Sequence, residues 1–409
     1  MKQALKYLVP TQIAIFLFCV SAQLNSQTYP FCGFDRMVEK QARRDSSVFE
    51  RMSSMNRAIG AAAREMKNLP SFRTEITIPV VVHIVWHKPE ENVSDEAIRS
   101  QIAILNRDFN GENSDLSEVP NEFKPLIAQM GIHFCLAAED PQGLASSGII
   151  RVQTDEMEIA GKEELFFSVL GGSDVWDPER YLNIWVANTG DFVTGYGTFP
   201  GQTEPEKSGV VVHPKFFGKN SSRKFGEGRV AVHEVGHFLG LNHLWGDDGN
   251  CETDDGVADT PLQQHPYEGC PDYPQTSCGS SDLFPDFMDF VDDPCMLLFT
   301  QGQMERMLAT LESFRPGLLG SAISCVPIED DNLETAFSIF PNPAREEVFL
   351  DFREGVGGQG KVEIFNPLGQ LFYQKESILS DKMKIDLPNL PPGIYFIKIG
   401  KATRKFIAD

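Results

Sequence analysis

Residues 233 to 243 read His-Glu-Val-Gly-His-Phe-Leu-Gly-Leu-Asn-His. His233 and His237 are spaced i and i+4, so on a helix both imidazoles leave one face about a turn apart. Two rings so placed can reach a single Zn²⁺. Glu234 is one step round the helix, able to sit beside a water rather than on the metal, as a general base must. Gly240 lets the chain leave the helix sharply, with a positive φ open to it, and brings His243 back as a third ligand. Three neutral histidines leave a fourth position on the metal open, which marks a catalytic site and not a structural one.

Such a cluster needs a scaffold, and the flanking sequence supplies one. Ile76 to Trp86 is a β-branched run that reads as a buried strand. Ser94 is placed to cap a helix carrying Ile98, Ile102, Leu105 and Phe109 on one face. Ile132 to Leu136, Ile149 to Gln153 and Leu182 to Ala187 read as further strands, and Ser46 to Met66 as a helix. Strands mixed with long helices predict an α/β or α+β core over about 75 to 325. Beyond an acidic linker (326–333) the pattern changes to short alternating strands split by Pro, Gly and Asn, which predicts a separate all-β sandwich over 334–409.

Composition narrows the function classes. The chain has 409 residues, 36 Lys+Arg against 58 Asp+Glu, and a net charge of −22. That balance argues against nucleic acid or an anionic membrane as partner, since both need clustered positive charge. At 41% hydrophobic and 10% aromatic residues the chain can bury a core. No apolar run approaches the ~20 residues of a membrane span. Lys2, Lys6, the apolar run Ile13 to Val20 and the small residues Ser21-Ala22 predict a signal peptide cut after Ala22. Of the eight cysteines, Cys19 falls within it; the other seven enter an oxidising compartment, where pairing leaves one over.

With its Gly and third His, the motif is the signature of the metzincin clan of zinc peptidases. Together with Leu244-Trp245-Gly246-Asp247 and the cysteine-rich stretch 251 to 295, residues 30 to 325 resemble the pappalysin family. The fold so implied is α+β, a metzincin domain with a mixed, mostly parallel sheet and an active-site helix (74–325), followed by the small all-β sandwich. The resemblance implies protein or peptide substrates, Zn²⁺ on His233, His237 and His243, Glu234 as catalytic base, and Met288 as a hydrophobic floor beneath the metal. The family usually has Tyr two residues after that Met; here stands Phe290, which has no donor for the tetrahedral intermediate. Asp293 falls where bacterial members place an acid at the base of the S1′ pocket, which implies cleavage N-terminal to Arg, or less well Lys.

The family pattern also implies disulfides Cys251–Cys278 and Cys270–Cys295. Cys135, in a predicted strand, and Cys325, at the domain's end, are expected to pair. Cys32 then remains, within a prosegment (23–73), and the resemblance implies that its thiolate closes the open metal position; release needs a cut near Arg73, which an enzyme that cuts before Arg is expected to make itself, at Phe72-Arg73. Calcium is expected on the acidic loop, at Asp254, Asp255, Asp259 and Thr260. The tail, with Phe340-Pro-Asn-Pro343 and Leu390-Pro-Pro-Gly-Ile-Tyr395, closely resembles the C-terminal sorting domain of type IX secretion substrates, which implies that machinery as a partner and a secreted or cell-surface location. Two other readings fit the motif: a zinc-binding surface or adhesin protein that has lost turnover, for which Phe290 speaks, and a zinc amidase or exopeptidase on a similar scaffold. Intact Glu234 argues against the first.

Overall fold

The structure, a computed structural model, describes residues 32–66, 76–190, 193–246, 249–319, 321, 323–326, 337–352, 358–379, 382–387, 390–399 and 402–408. The expected signal peptide, the processing point at Phe72-Arg73, Asp247 and most of the linker lie outside them.

The first described elements are two helices, α1 (Phe34–Ala42) and α2 (Val48–Met66). The period of apolar residues predicts the second; α1, only nine residues long, was not foreseen. The sheet follows: β1 (Ile76–Trp86), β2 (Ile132–Leu136), β3 (Ile149–Gln153), β4 (Leu182–Ala187), β5 (Gly195–Gly197) and β6 (Val210–Val212). Its order is β2-β1-β4-β6-β5, with β3 also on β1. Every pairing is parallel except β5 on β6. A parallel sheet is covered on both faces, so its strands read as continuous apolar runs. Accordingly Ile78, Val80, Val82 and Ile84 of β1 join one core, while Val85 joins another with Trp185 and Val211. His83, on that second face, is held by Ser173 Oγ (2.8 Å) and Asn183 Oδ1 (3.0 Å).

Two helices fill the first face. In α3 (Asp95–Phe109), Ser94 Oγ accepts Ala97 N–H as a cap, and Ile98, Ile102, Leu105 and Phe109 are buried. The second, α4 (Arg229–Phe238), is buried along its whole length. Arg315 stops it: its Nε donates to Phe238 O at 3.0 Å, and its guanidinium lies over the Phe238 ring.

The chain past α4 is mostly irregular until α5 (Gln301–Phe314), whose capping box is Thr300 with Gln303. Disulfides Cys251–Cys278 and Cys270–Cys295 cross-link that stretch, and Cys135–Cys325 fastens the domain's end to β2. C-terminal to this lie β7 (Phe337–Phe340), β8 (Glu347–Phe352), β9 (Gly358–Phe365), β10 (Leu371–Leu379), β11 (Lys382–Asp386), β12 (Gly393–Ile399) and β13 (Ala402–Ala408). They make antiparallel sheets of four and three strands over one shared core. Among the described residues no helix is long and apolar enough to cross a membrane.

Candidate active site

The sequence pattern and the fold meet at α4. His233 and His237 leave it on one face, and Gly240, at φ +88°, turns the chain back. The turn is crowded: a Cβ on Gly240 would stand 2.4 Å from Thr310 Oγ1. His243 then returns, and His237 Nε2 lies 3.1 Å from both His233 Nε2 and His243 Nε2. His233 Nδ1 lies 2.7 Å from Phe287 O, and His237 Nδ1 2.9 Å from Leu241 O. These two rings thus spend their Nδ1–H on carbonyls and turn the Nε2 lone pairs to the common point, while His243 Nδ1 faces Asp35 Oδ2 at 3.7 Å. Burial holds all three imidazoles below their ordinary pKa, His237 at about 4, so they are neutral.

A fourth donor comes from far away in sequence. Cys32 Sγ is buried, 3.5 Å from His237 Nε2 and 3.5 Å from Glu234 Oε2. The four donor atoms lie within 4.8 Å of one another. Nitrogens at ~2.05 Å and a sulfur at ~2.3 Å from one tetrahedral zinc would stand ~3.3 Å (N to N) and ~3.6 Å (N to S) apart, so the donor set fits that ion. Burial, with Glu234 second, pushes the Cys32 thiol well above its usual pKa. A dication reverses that, since a coordinating thiol is deprotonated outright. Cys32 is seated by an isolated parallel bridge to β5, with Gly33 N–H donating to Gly195 O at 2.8 Å. Phe34 stacks on the His237 ring at 4.3 Å.

Glu234 is fully buried beside these atoms, and its Oε1 has no hydrogen-bond partner. Burial raises its pKa to about 8. It is hemmed in by β5, where a Cβ on Gly197 would meet Glu234 O at 2.2 Å and one on Gly195 would meet Glu234 Cγ at 3.2 Å. Those two glycines let an edge strand lie flush on the helix; their spacing in Gly-Tyr-Gly was the available signal, and it was missed. Met288 is buried against α4, and a Cβ on Gly236, between His233 and His237 in sequence, would lie 2.5 Å from its sulfur. Phe290 packs edge-on to His243 at 4.9 Å and to Trp245 at 4.8 Å.

Asp293 is buried at the start of α4. Its Oδ2 accepts Glu227 N–H (2.9 Å) and Arg229 N–H (3.2 Å), so it caps the active-site helix; its Oδ1 has no partner. Burial raises its pKa to about 7. The four acidic-loop residues are not gathered around one point. Asp259 accepts Thr300 Oγ1–H and Gly302 N–H at the start of α5, and Asp254 Oδ1 accepts Gly256 N–H. Asp255 is buried with Thr260 Oγ1 2.7 Å from its Oδ1, while its Oδ2 and the neighbouring Thr253 Oγ1 have no partner.

Comparison with known proteins gives consistent neighbours. A family profile described as pregnancy-associated plasma protein-A matches residues 171–312, and one described as a secretion system C-terminal sorting domain matches 338–408. Extracellular metalloprotease 1 of Coccidioides posadasii (strain C735) is 30% identical over 268 residues, 63% of this chain and 84% of its own. A structure of mature mirolysin from Tannerella forsythia in complex with a cleaved peptide is 42% identical, with TM-score 0.59, over 61% of this chain and 97% of that one. A promirolysin mutant from the same organism is 39% identical, with TM-score 0.65, over 71% and 97%.

Proposed function

Since the chain belongs to the pappalysin family of zinc metallopeptidases, we propose that it is made as a latent endopeptidase in which His233, His237 and His243 hold Zn²⁺, Glu234 is the general base and Cys32 stops the fourth corner. The enzyme is a metalloendopeptidase of the cell exterior or surface, and its C-terminal domain addresses it to type IX secretion. We divide the chain into signal peptide (1–22), prosegment (23–73), peptidase (74–325), linker (326–333) and sorting domain (334–409).

The observation that carries the reading is the approach of a distant thiol to three imidazoles, all within 4.8 Å. Bound Zn²⁺ supplies Lewis acidity to the scissile carbonyl and to the attacking water. Glu234, one step round α4 from His233 and beside the donor atoms, takes that water's proton and returns it to the leaving amine. The β5 edge, which Cys32 and Gly33 occupy in the precursor, is free for substrate backbone once they leave. Glu234→Gln should retain zinc and lose turnover by about 10³-fold; zinc analysis beside peptide hydrolysis checks it, and retained turnover removes the assignment. Cys32→Ala should yield a precursor that is active or destroys itself.

For specificity we assign Asp293 to the P1′ Arg. Its unpartnered, buried Oδ1 supports this, because a guanidinium would satisfy it. Proteome-derived peptide cleavage tests it: enrichment of apolar P1′ residues would refute it. A cut before Arg73 is then within the enzyme's own reach, and N-terminal sequencing of active enzyme tests that. For the loop of Asp254, Asp255, Asp259 and Thr260, whose oxygens do not converge as they stand, we propose a Ca²⁺ seated at Asp255 that would draw the other three in. Support comes from the two buried oxygens without partners, Thr253 Oγ1 and Asp255 Oδ2. Calcium chelation at fixed zinc should lower the melting temperature.

A further inference from the structure

One polar contact between α2 and the rest of the molecule has the form of a binding site. Asn56, in α2, turns its Oδ1 to two donors: Asn242 Nδ2 at 2.9 Å and Arg306 Nη2. Arg306 is 2% exposed, and its Nε donates to Gly240 O at 2.7 Å. Among the described residues its guanidinium has no ion-pair contact; Asp254 and Asp255 act on it only through space. Asn242 precedes His243 and donates also to Asp255 O at 3.1 Å. The socket therefore lies against the turn that carries the third histidine. The same segment covers the site from end to end: Cys32 at the metal corner, Phe34 on His237, Met55 against Gly201 and Asn56 in the socket.

We propose that in the mature enzyme Arg306 and Asn242 form a recognition socket for a carboxylate or carboxamide side chain of the substrate, a place that Asn56 holds in the precursor. The inference rests on the reading of residues 23–73 as a removable prosegment. Once α2 leaves, Asn242 Nδ2 and Arg306 Nη2 lose their shared acceptor and face the groove it vacated, side by side and set for one oxygen. A substrate that replaces Cys32 at the corner runs along the groove that α2 vacates and can supply the oxygen. Asp254 and Asp255 act on the same guanidinium and offset its charge, so acids and amides are both accepted.

Mature enzyme is incubated with a denatured proteome digest and the cut sites are read by mass spectrometry. Wild type should show about tenfold enrichment of acidic or amide residues at one fixed position remote from the cut bond. Asn242→Asp should abolish that enrichment or turn it toward Lys and Arg. Absence of any cleavage strikes the latent-peptidase reading; cleavage with no such enrichment, or with one that Asn242→Asp leaves unchanged, overturns the socket. A second measurement does not depend on that variant folding. In a Glu234→Gln precursor, Asn56→Asp places a charged acceptor on the same donors and should raise the melting temperature, whereas Asn56→Leu should lower it. An Asn56→Asp precursor that melts at or below the parent temperature overturns the proposal.

Discussion

The first two histidines and the third are held by opposite means. His233 and His237 stand on α4, a helix buried along its length against a parallel sheet, where backbone hydrogen bonds and apolar packing fix every residue. His243 stands beyond Gly240, in a stretch of irregular chain fixed by two disulfides, a buried methionine and inward-facing carboxylates. A metal site needs both: a rigid pair to set the spacing and a returning chain to close it. The returning half does its work without a ladder of backbone bonds, so covalent links and side-chain polar contacts take that place.

The largest effect is expected at the junction. Gly240→Ala forces a left-handed backbone on a residue with a Cβ and presses that Cβ to 2.4 Å from Thr310 Oγ1. About 4 kcal/mol of stability should be lost, with zinc lost through His243; urea unfolding and zinc analysis check it. A fully loaded variant would show that the third ligand does not depend on the turn.

Next comes the cross-linked half by itself. Replacing Cys270 and Cys295 together by Ser opens a bridge of sequence separation 25. The expected cost is ~3 kcal/mol, with loss of activity on warming before the far-ultraviolet circular dichroism of the sheet half changes. Simultaneous loss of both signals would show that the halves unfold as one and erase the contrast.

The smallest effect is one of sign with pH. Burial raises Asp289 from 3.8 to about 7, so it keeps its proton in the fold when the unfolded chain has lost it. Its contribution to stability is complete below pH 3.8 and is lost as pH rises through about 7. His83, under the sheet, is lowered by burial from 6.5 to about 4. Its contribution is complete above 6.5 and is lost as pH falls to about 4. Asp289→Asn should therefore flatten the decline toward neutral pH and leave the acid limb alone. Melting temperatures across pH 4 to 8 check it; an unaltered neutral limb would assign that limb to other buried acids.

Legibility followed the same division. The strands β1 to β4 and the helix α3 were readable because burial on a regular backbone imposes a period on the sequence. The strands β5 and β6 were not, at three residues each, although β5 is the strand that seats Cys32 and crowds Glu234. Asp293 was singled out for substrate, yet the role the fold visibly gives it is to cap α4. The pairing of Asn56 with Asn242 and Arg306 joins residues with up to 250 positions between them, and no local pattern announces such a contact.

Residue type and spacing alone determined that two imidazoles lie a turn apart on one helix face, that a glycine follows where the chain must reverse, and that a second, all-β unit ends the chain. Those are properties of backbone geometry within a dozen residues. Only the tertiary structure decided that the thiol of Cys32 meets those imidazoles, that Met288 presses on Gly236, and that Arg306 answers Asn56. Contacts of that kind depend on how separate elements pack, and packing is set by the whole core at once.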